Sequence, residues 1–408
     1  MLYQELIDLI IDHLADLGHQ CPIVNCSFCQ RSQQHIFESI VIKGDLQTRV
    51  QNLFTIIQHN PDIARYIQEL TLECTGFEYS WIGGNPLFTV VMDNIVSATS
   101  NKPLRKLTIR ADADVGGGYE TLMFEDPKPL LDHFFMPFIS PFITSLTLER
   151  LKNVPIEVVE SCIHLTHLEL LHVELGERRN SQSHHRLKLQ HLVHRLSGSA
   201  LEELLNASSS LDLSHLKSFV VYTDTLWDLE FENQIIDLSR QSLEEIYLIT
   251  MQTSANTVFH GVVNLHDSPR LRLLHAHVLF PENRLRSICA TLSTIRSRSL
   301  ESLFIDAKVA FCCNCAPEVV FNANWSTFCS QVTRVMSSGE EGGGSRFEFK
   351  MTYVYRNFSG MDMDTHRRYL HDRCRSIITR LRTETLSSLE EDNNPRFTIA
   401  LSYALEYL

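Results

Sequence analysis

The side chains best suited to chemistry in this sequence are cysteines and histidines. Cys26-Ser27-Phe28-Cys29 has the two-residue spacing of a metal-binding pair, with Cys21 and His19 close upstream. Four nitrogen and sulfur donors would suit zinc. Both cysteines also fall on an apolar segment with Ile23, Val24 and Phe28, where small thiols pack well, and core packing is the reading taken for them. Cys312, Cys313 and Cys315 form a second group that Cys329 could join in space. With no fourth partner nearby in sequence, core or loop thiols are again expected. His275 and His277 alternate along an expected strand, so both point to the same side. A partner-facing or exposed pair is expected there rather than a metal pair. His184, His185, His191 and His194 lie in and after a polar stretch and are read as solvated.

The motifs of common catalysis are missing. The sequence has no Gly-x-x-x-x-Gly-Lys-Ser/Thr phosphate loop, no Gly-x-Ser-x-Gly elbow and no His-Glu-x-x-His pair. Gly116-Gly117-Gly118 lacks a strand-to-helix setting and reads as a turn. The expectation is a protein without catalytic residues, cofactor or resident metal. With 36 Lys and Arg against 49 Asp and Glu the net charge is −13, which repels phosphate backbones and argues against nucleic acid as a partner. No apolar stretch approaches the roughly 18 residues of a membrane span, and Glu5, Asp8 and Asp12 break the N-terminal apolar run, so neither a membrane nor a secretory leader is expected. The 11 scattered cysteines in 408 residues read as reduced thiols of a cytoplasmic or nuclear protein.

The elements that must position these groups follow a repeated pattern, apolar-x-x-apolar-x-apolar. It occurs at 67–72, 104–109, 143–148, 165–170, 216–221, 243–248, 271–276 and 300–305. The alternation in the second half of each unit signals a strand. The fourth residues are Leu70, Leu107, Leu146, Leu168, Phe219, Ile246, Leu274 and Leu303, with steps of 37, 39, 22, 51, 27, 28 and 29. The last three steps are near the leucine-rich-repeat range of about 20–29 residues. The long step is expected to hide a further unit around Leu201-Glu202-Glu203-Leu204. Helices are expected between units, for example over 155–163 and 281–295, and terminal strands at 347–351 and 397–401 flank an expected helix over 364–389. Stacked strand–helix units share one continuous core. The polar stretches 176–188 and 337–345 read as surface insertions.

The N-terminal segment differs. Over residues 4–17, Leu6, Ile7, Leu9, Ile10, Ile11, Leu14 and Leu17 leave only a narrow polar stripe of Glu5, Asp8, Asp12 and Asp16. Such a helix calls for contact around most of its girth, either within this chain or with another one. The run Leu2-Tyr3-Gln4-Glu5-Leu6-Ile7-Asp8-Leu9-Ile10-Ile11-Asp12-His13-Leu14 resembles the opening of an F-box. Asn25-Cys26-Ser27-Phe28 is similar to a piece of its second helix, and Arg31-Ser32 with His35-Ile36-Phe37-Glu38-Ser39-Ile40 to its ending in fungal F-box proteins. Tyr3 replaces the usual Pro, the Trp after Arg31-Ser32 is missing, and about five residues are absent before Gln33, so the motif is shortened.

Repeat pattern and resemblance together lead to the expectation of an α/β chain: a short all-α F-box-like head at 1–42, then an irregular leucine-rich-repeat-like solenoid over 43–408, with parallel strands inside, helices outside and a degenerate C-terminal cap. The resemblance further implies that Leu2, Glu5, Leu6, Ile10 and Leu14 contact a Skp-type adaptor of a cullin–RING ubiquitin ligase, while the solenoid holds an unknown target protein. The alternatives are a repeat-based interaction scaffold without a ligase role, and an enzyme on a degenerate α/β body.

Overall fold

The computed structural model describes residues 33–43, 46–74, 80–98, 104–111, 121–124, 128–176, 186–206, 211–223, 230–250, 262–280, 285–296, 299–311, 317–337, 346–355, 363–387, 389 and 398–407. Its dominant element is a 13-stranded sheet combined with helices in a mixed α/β arrangement. Twelve strands stand side by side in chain order: β1 (Ser39–Ile42), β2 (Glu69–Cys74), β3 (Lys106–Ala111), β5 (Ser145–Pro155), β6 (His167–Gly176), β8 (His191–Arg195), β10 (Ser218–Thr223), β11 (Glu245–Thr250), β12 (Leu273–Phe280), β13 (Ser302–Phe311), β14 (Arg346–Tyr355) and β15 (Thr398–Tyr407). β4 (Leu122–Met123) pairs with β5, while β7 (Leu187–Lys188) and β9 (Leu211–Asp212) form a separate pair. All these pairings are parallel, and the path runs from β1 to β15 without closing into a barrel.

The register explains why the sheet forms. Ile40, Leu70, Leu107, Leu146, Leu168, Leu192, Phe219, Ile246, Leu274, Leu303 and Phe347 lie opposite one another on successive strands. From Leu70 onward every member of this row is buried. Each such side chain contributes about 1.5–3 kcal/mol by leaving water, and a slip of one residue would turn the whole row outward. Along the main path, the entries to β2 through β13 repeat a second device. One carbonyl accepts two successive N–H groups of the next unit: Gln68 from Arg105 and Lys106, Arg105 from Thr144 and Ser145, Thr144 from Thr166 and His167, and Gln190 from Lys217 and Ser218. Units of unequal length therefore join their neighbours in the same way.

The long step between Leu168 and Phe219 does contain a further unit, but at another place than the sequence suggested. Its strand is β8, with Leu192 in the ladder, and residues 201–204 belong to the following helix Gly198–Leu205. Leu189-Gln190-His191-Leu192-Val193-His194 matches the repeat except at its last position, where histidine replaces an apolar residue.

The core lies between one face of the sheet and the helices. Helix Leu46–His59 packs on Pro86–Ala98, and Arg286–Thr294 on Trp325–Ser337. The last buries Phe328, Cys329, Val332, Val335 and Met336 at three- and four-residue spacings, and Asn324 Oδ1 caps its start by accepting from the Thr327 N–H at 3.2 Å. The expected helix at 281–295 is observed as Arg286–Thr294, and that at 364–389 as Met363–Arg380 with a π-turn over Leu381–Thr385. The segment 155–163 holds only the short helix Glu157–Glu160. Burial pushes the thiols of Cys74 and Cys162 up to about 12 and that of Cys289 up to about 11, so these groups pack as apolar side chains. Among the described residues, no helix is long and apolar enough to cross a membrane.

The opposite face of the sheet is only half-buried. Along β11 and β12, Glu245, Tyr247, Ile249, Leu273, His275 and His277 are partly exposed, while Ile246, Leu248, Leu274, Ala276 and Val278 are buried. This alternation is that of strands covered on one side.

Candidate functional site

The open face carries a compact group on β12 and β13. The two-residue period sends His275 and His277 outward together, and the parallel register sets His277 opposite Asp306 and His275 opposite Phe304. The Asp306 carboxylate bridges both rings. Its Oδ2 is 3.0 Å from His275 Nε2 and 3.4 Å from His277 Nε2. The three side chains are 26%, 24% and 14% exposed for Asp306, His275 and His277, so each is reachable from solvent. Burial alone would raise the Asp306 carboxyl, but the hydrogen bonds and charges of the two imidazoles outweigh it and hold the group well below the usual carboxylate range. His277 Nδ1 is buried without a hydrogen-bond partner.

Aromatic groups and a guanidinium frame the trio. Tyr247, opposite His275 on β11, meets its ring edge-on at 5.8 Å between centroids, and Phe304 meets it at 5.9 Å. The Arg346 guanidinium sits 5.2 Å over the Phe304 ring and is oriented by Glu348, 2.6 Å away. Burial raises the Tyr247 phenol, as does the neighbouring Glu245 carboxylate, to which the hydroxyl donates at 3.3 Å. The site therefore combines a fixed carboxylate, two imidazoles, aromatic edges and a guanidinium on a half-open strand surface. It can bind another polar or charged group, and its donor set is also that of a metal ligand group.

The sequence pointed to two of these three residues. His275 and His277 share one side, as expected, but the sequence reading did not find Asp306. Its signal was present: the repeat step from Leu274 to Leu303 is 29 residues, which aligns position 277 with position 306. The adaptor-contact positions Leu2, Glu5, Leu6, Ile10 and Leu14 lie outside the described residues, as do His19, Cys21, Cys26, Cys29, Gly116-Gly117-Gly118, His184, His185, Cys312, Cys313 and Cys315. Cys329 is a core thiol, 3.6 Å from the Thr385 carbonyl. His191 stacks on His167 at 4.1 Å between ring centroids.

His194 corrects the expectation of a solvated residue. It occupies the inward position between Leu170 and Val221 and is only 4% exposed. Its Nε2 lies 3.2 Å from Glu232 Oε1 on helix Glu230–Ser239. That contact has ion-pair distance without hydrogen-bond geometry, and both ring nitrogens and Glu232 Oε2 are buried without hydrogen-bond partners. Elsewhere, a polar pocket of about 170 Å³ is lined by Arg240, His266 and Asp267. Its charges are already paired, with Asp267 3.7 Å from Arg240 and 2.7 Å from His266.

Comparison with protein-family models, with curated proteins and with solved structures finds no match to this chain.

Proposed function

We propose that the chain is a non-catalytic substrate-recognition subunit of a cullin–RING ubiquitin ligase. In this reading its F-box-like head docks on a Skp-type adaptor and its leucine-rich-repeat-like body holds a target protein. The head enters through the resemblance carried by Leu2, Glu5, Leu6, Ile10 and Leu14. The body is consistent with stacked repeats, because parallel strands added in chain order, joined from β2 to β13 by the same carbonyl device, are what nearest-neighbour stacking produces. The observation that carries the reading is the half-open sheet face, where Tyr247, Phe304 and Arg346 surround the histidine group. Aromatic residues and arginine are the types that protein interfaces favour. The chain's contribution to ubiquitin transfer is then proximity.

The test is a pull-down of the full chain against a purified Skp-type adaptor. The native chain binds, and Leu6→Asp/Ile10→Asp abolishes binding while its circular dichroism is unchanged. Tyr247→Ala/Phe304→Ala, on the target-facing surface, leaves adaptor binding intact. A well-folded native chain that captures no adaptor removes the ligase reading and leaves a scaffold.

A further inference from the structure

We propose that His275, His277 and Asp306 form a binding site for a divalent first-row transition-metal ion, best matched by zinc, on the open face of the sheet. The three residues each offer one ligand atom, and these atoms lie within 4.8 Å of one another. Zinc bonds nitrogen and oxygen at about 2.0–2.2 Å, so neighbouring donors on one ion stand about 3.3 Å apart in a tetrahedron. The two observed nitrogen-to-Oδ2 separations, 3.0 and 3.4 Å, bracket that edge. Two of the three donor-to-donor edges already have about this length, and the third is no longer than 4.8 Å.

The backbone provides the preorganisation. His275 and His277 are fixed two residues apart on β12, and Asp306 sits directly across on β13. The geometry therefore belongs to the ladder and not to a loop. Phe304 and Tyr247 restrict the His275 ring. When the ion takes Nε2 of each ring, the ring proton resides on Nδ1. Three protein ligands leave a position for water or for a donor from a bound molecule. His277 Nδ1 has no hydrogen-bond partner. Outer-shell partners typically contribute 10–100-fold in affinity, so this site is weaker than a fully buttressed one.

A simple ion-pair cluster is the competing account, and it predicts indifference to metal. The experiment uses the full chain stripped with a chelator, then titrated separately with Zn²⁺ in equilibrium dialysis and with Co²⁺ in absorption spectroscopy. The Co²⁺ spectrum distinguishes this site from cysteine sites elsewhere in the chain, because nitrogen and oxygen donors give ligand-field bands without thiolate charge transfer. The expected result is one thiolate-free equivalent that His275→Ala/His277→Ala abolishes. Asp306→Asn keeps both rings and nearly the same volume, and should weaken binding by about 100-fold or more, beyond the usual loss of an outer partner. Should the double variant fail to fold, Asp306→Asn decides alone. Absence of the thiolate-free Co²⁺ bands from the native chain, or their persistence at unchanged affinity in Asp306→Asn, overturns the proposal. Neither adaptor nor target enters the measurement, so its outcome is independent of the ligase reading.

Discussion

The two ends of the open sheet face use one device with different residues. At the β2–β3 end, the Glu73 carboxylate lies between Arg110, 2.8 Å away on the neighbouring strand, and Lys43, 3.7 Å away just after β1. At the β12–β13 end, Asp306 lies between His275 and His277. Both are single carboxylates held by two nitrogen-bearing side chains. Glu73 is bound by permanent cations, whose nitrogens have no lone pair to offer, so that cluster is closed. The imidazoles around Asp306 can exchange a proton for a metal. Parallel register brings the groups together in both cases, and residue type alone separates a structural clasp from a binding site.

The largest expected effects test what the two ends share. Leu70 lies on β2 at the first and Phe349 on β14 beside the second, opposite Ile305, both on the buried side of the sheet. Leu70→Ala should cost about 2–5 kcal/mol and Phe349→Ala about 3–5 kcal/mol in urea unfolding. Losses below about 1 kcal/mol would mean that these positions do not form the core. Next come the carboxylates themselves. Glu73→Ala leaves Arg110 and Lys43 without this acceptor, and Asp306→Ala does the same to the two imidazoles. Each should cost about 1–3 kcal/mol, but only the second should alter Zn²⁺ binding. His277→Arg sharpens the contrast by giving the second end the chemistry of the first. Metal binding should be lost while stability stays within about 1 kcal/mol of native, the range of a partly exposed ion pair. Retained binding would dismiss the distinction between the two ends.

A smaller effect separates the ends by pH. Because the native Asp306 carboxyl is held below its ordinary range, its contribution is fully present above about pH 4, the unfolded value. It is lost as pH falls through the native value. The stability difference between native protein and Asp306→Asn, followed by urea unfolding from about pH 5 downward, should therefore be constant to about pH 4 and shrink below it. A gap that widens on acidification would reverse the sign of the coupling. Zn²⁺ affinity should also fall on acidification, because a ligand imidazole must be unprotonated.

The strands were the most legible part of the sequence, because their apolar spacing is local. Every unit read as apolar-x-x-apolar-x-apolar became a strand with its fourth residue in the ladder, from Leu70 to Leu303. The terminal strands were visible around Phe347 and Ile399, although insertions spread those units beyond any regular step. The clusters were less legible. Glu73–Arg110 and His277–Asp306 are 37 and 29 residues apart, and only the register joins them. A reading by local motif sees the two histidines and misses the carboxylate. Superposing the repeats on Leu274 and Leu303 recovers it.

Between the two ends, His194 tests what the inward ladder requires. In its row, Leu72, Ile109, Leu148, Leu170, Val221, Leu248, Ala276, Ile305 and Phe349 are apolar, and His194 alone among the described rungs is polar. A buried polar pair with unsatisfied atoms gives little net stability, because desolvation offsets the attraction. Removing one member is different, since the other is left buried alone. His194→Leu should therefore cost about 1–3 kcal/mol through the stranded Glu232 carboxylate. His194→Leu/Glu232→Leu, which completes the apolar row, should return to within about 1 kcal/mol of native or exceed it. A double-mutant cycle in urea unfolding measures the coupling. A single His194→Leu variant more stable than native would show that the Glu232 contact contributes nothing. A double variant as unstable as the single would mean that the ladder needs this polar rung, as the outward ends need their carboxylates.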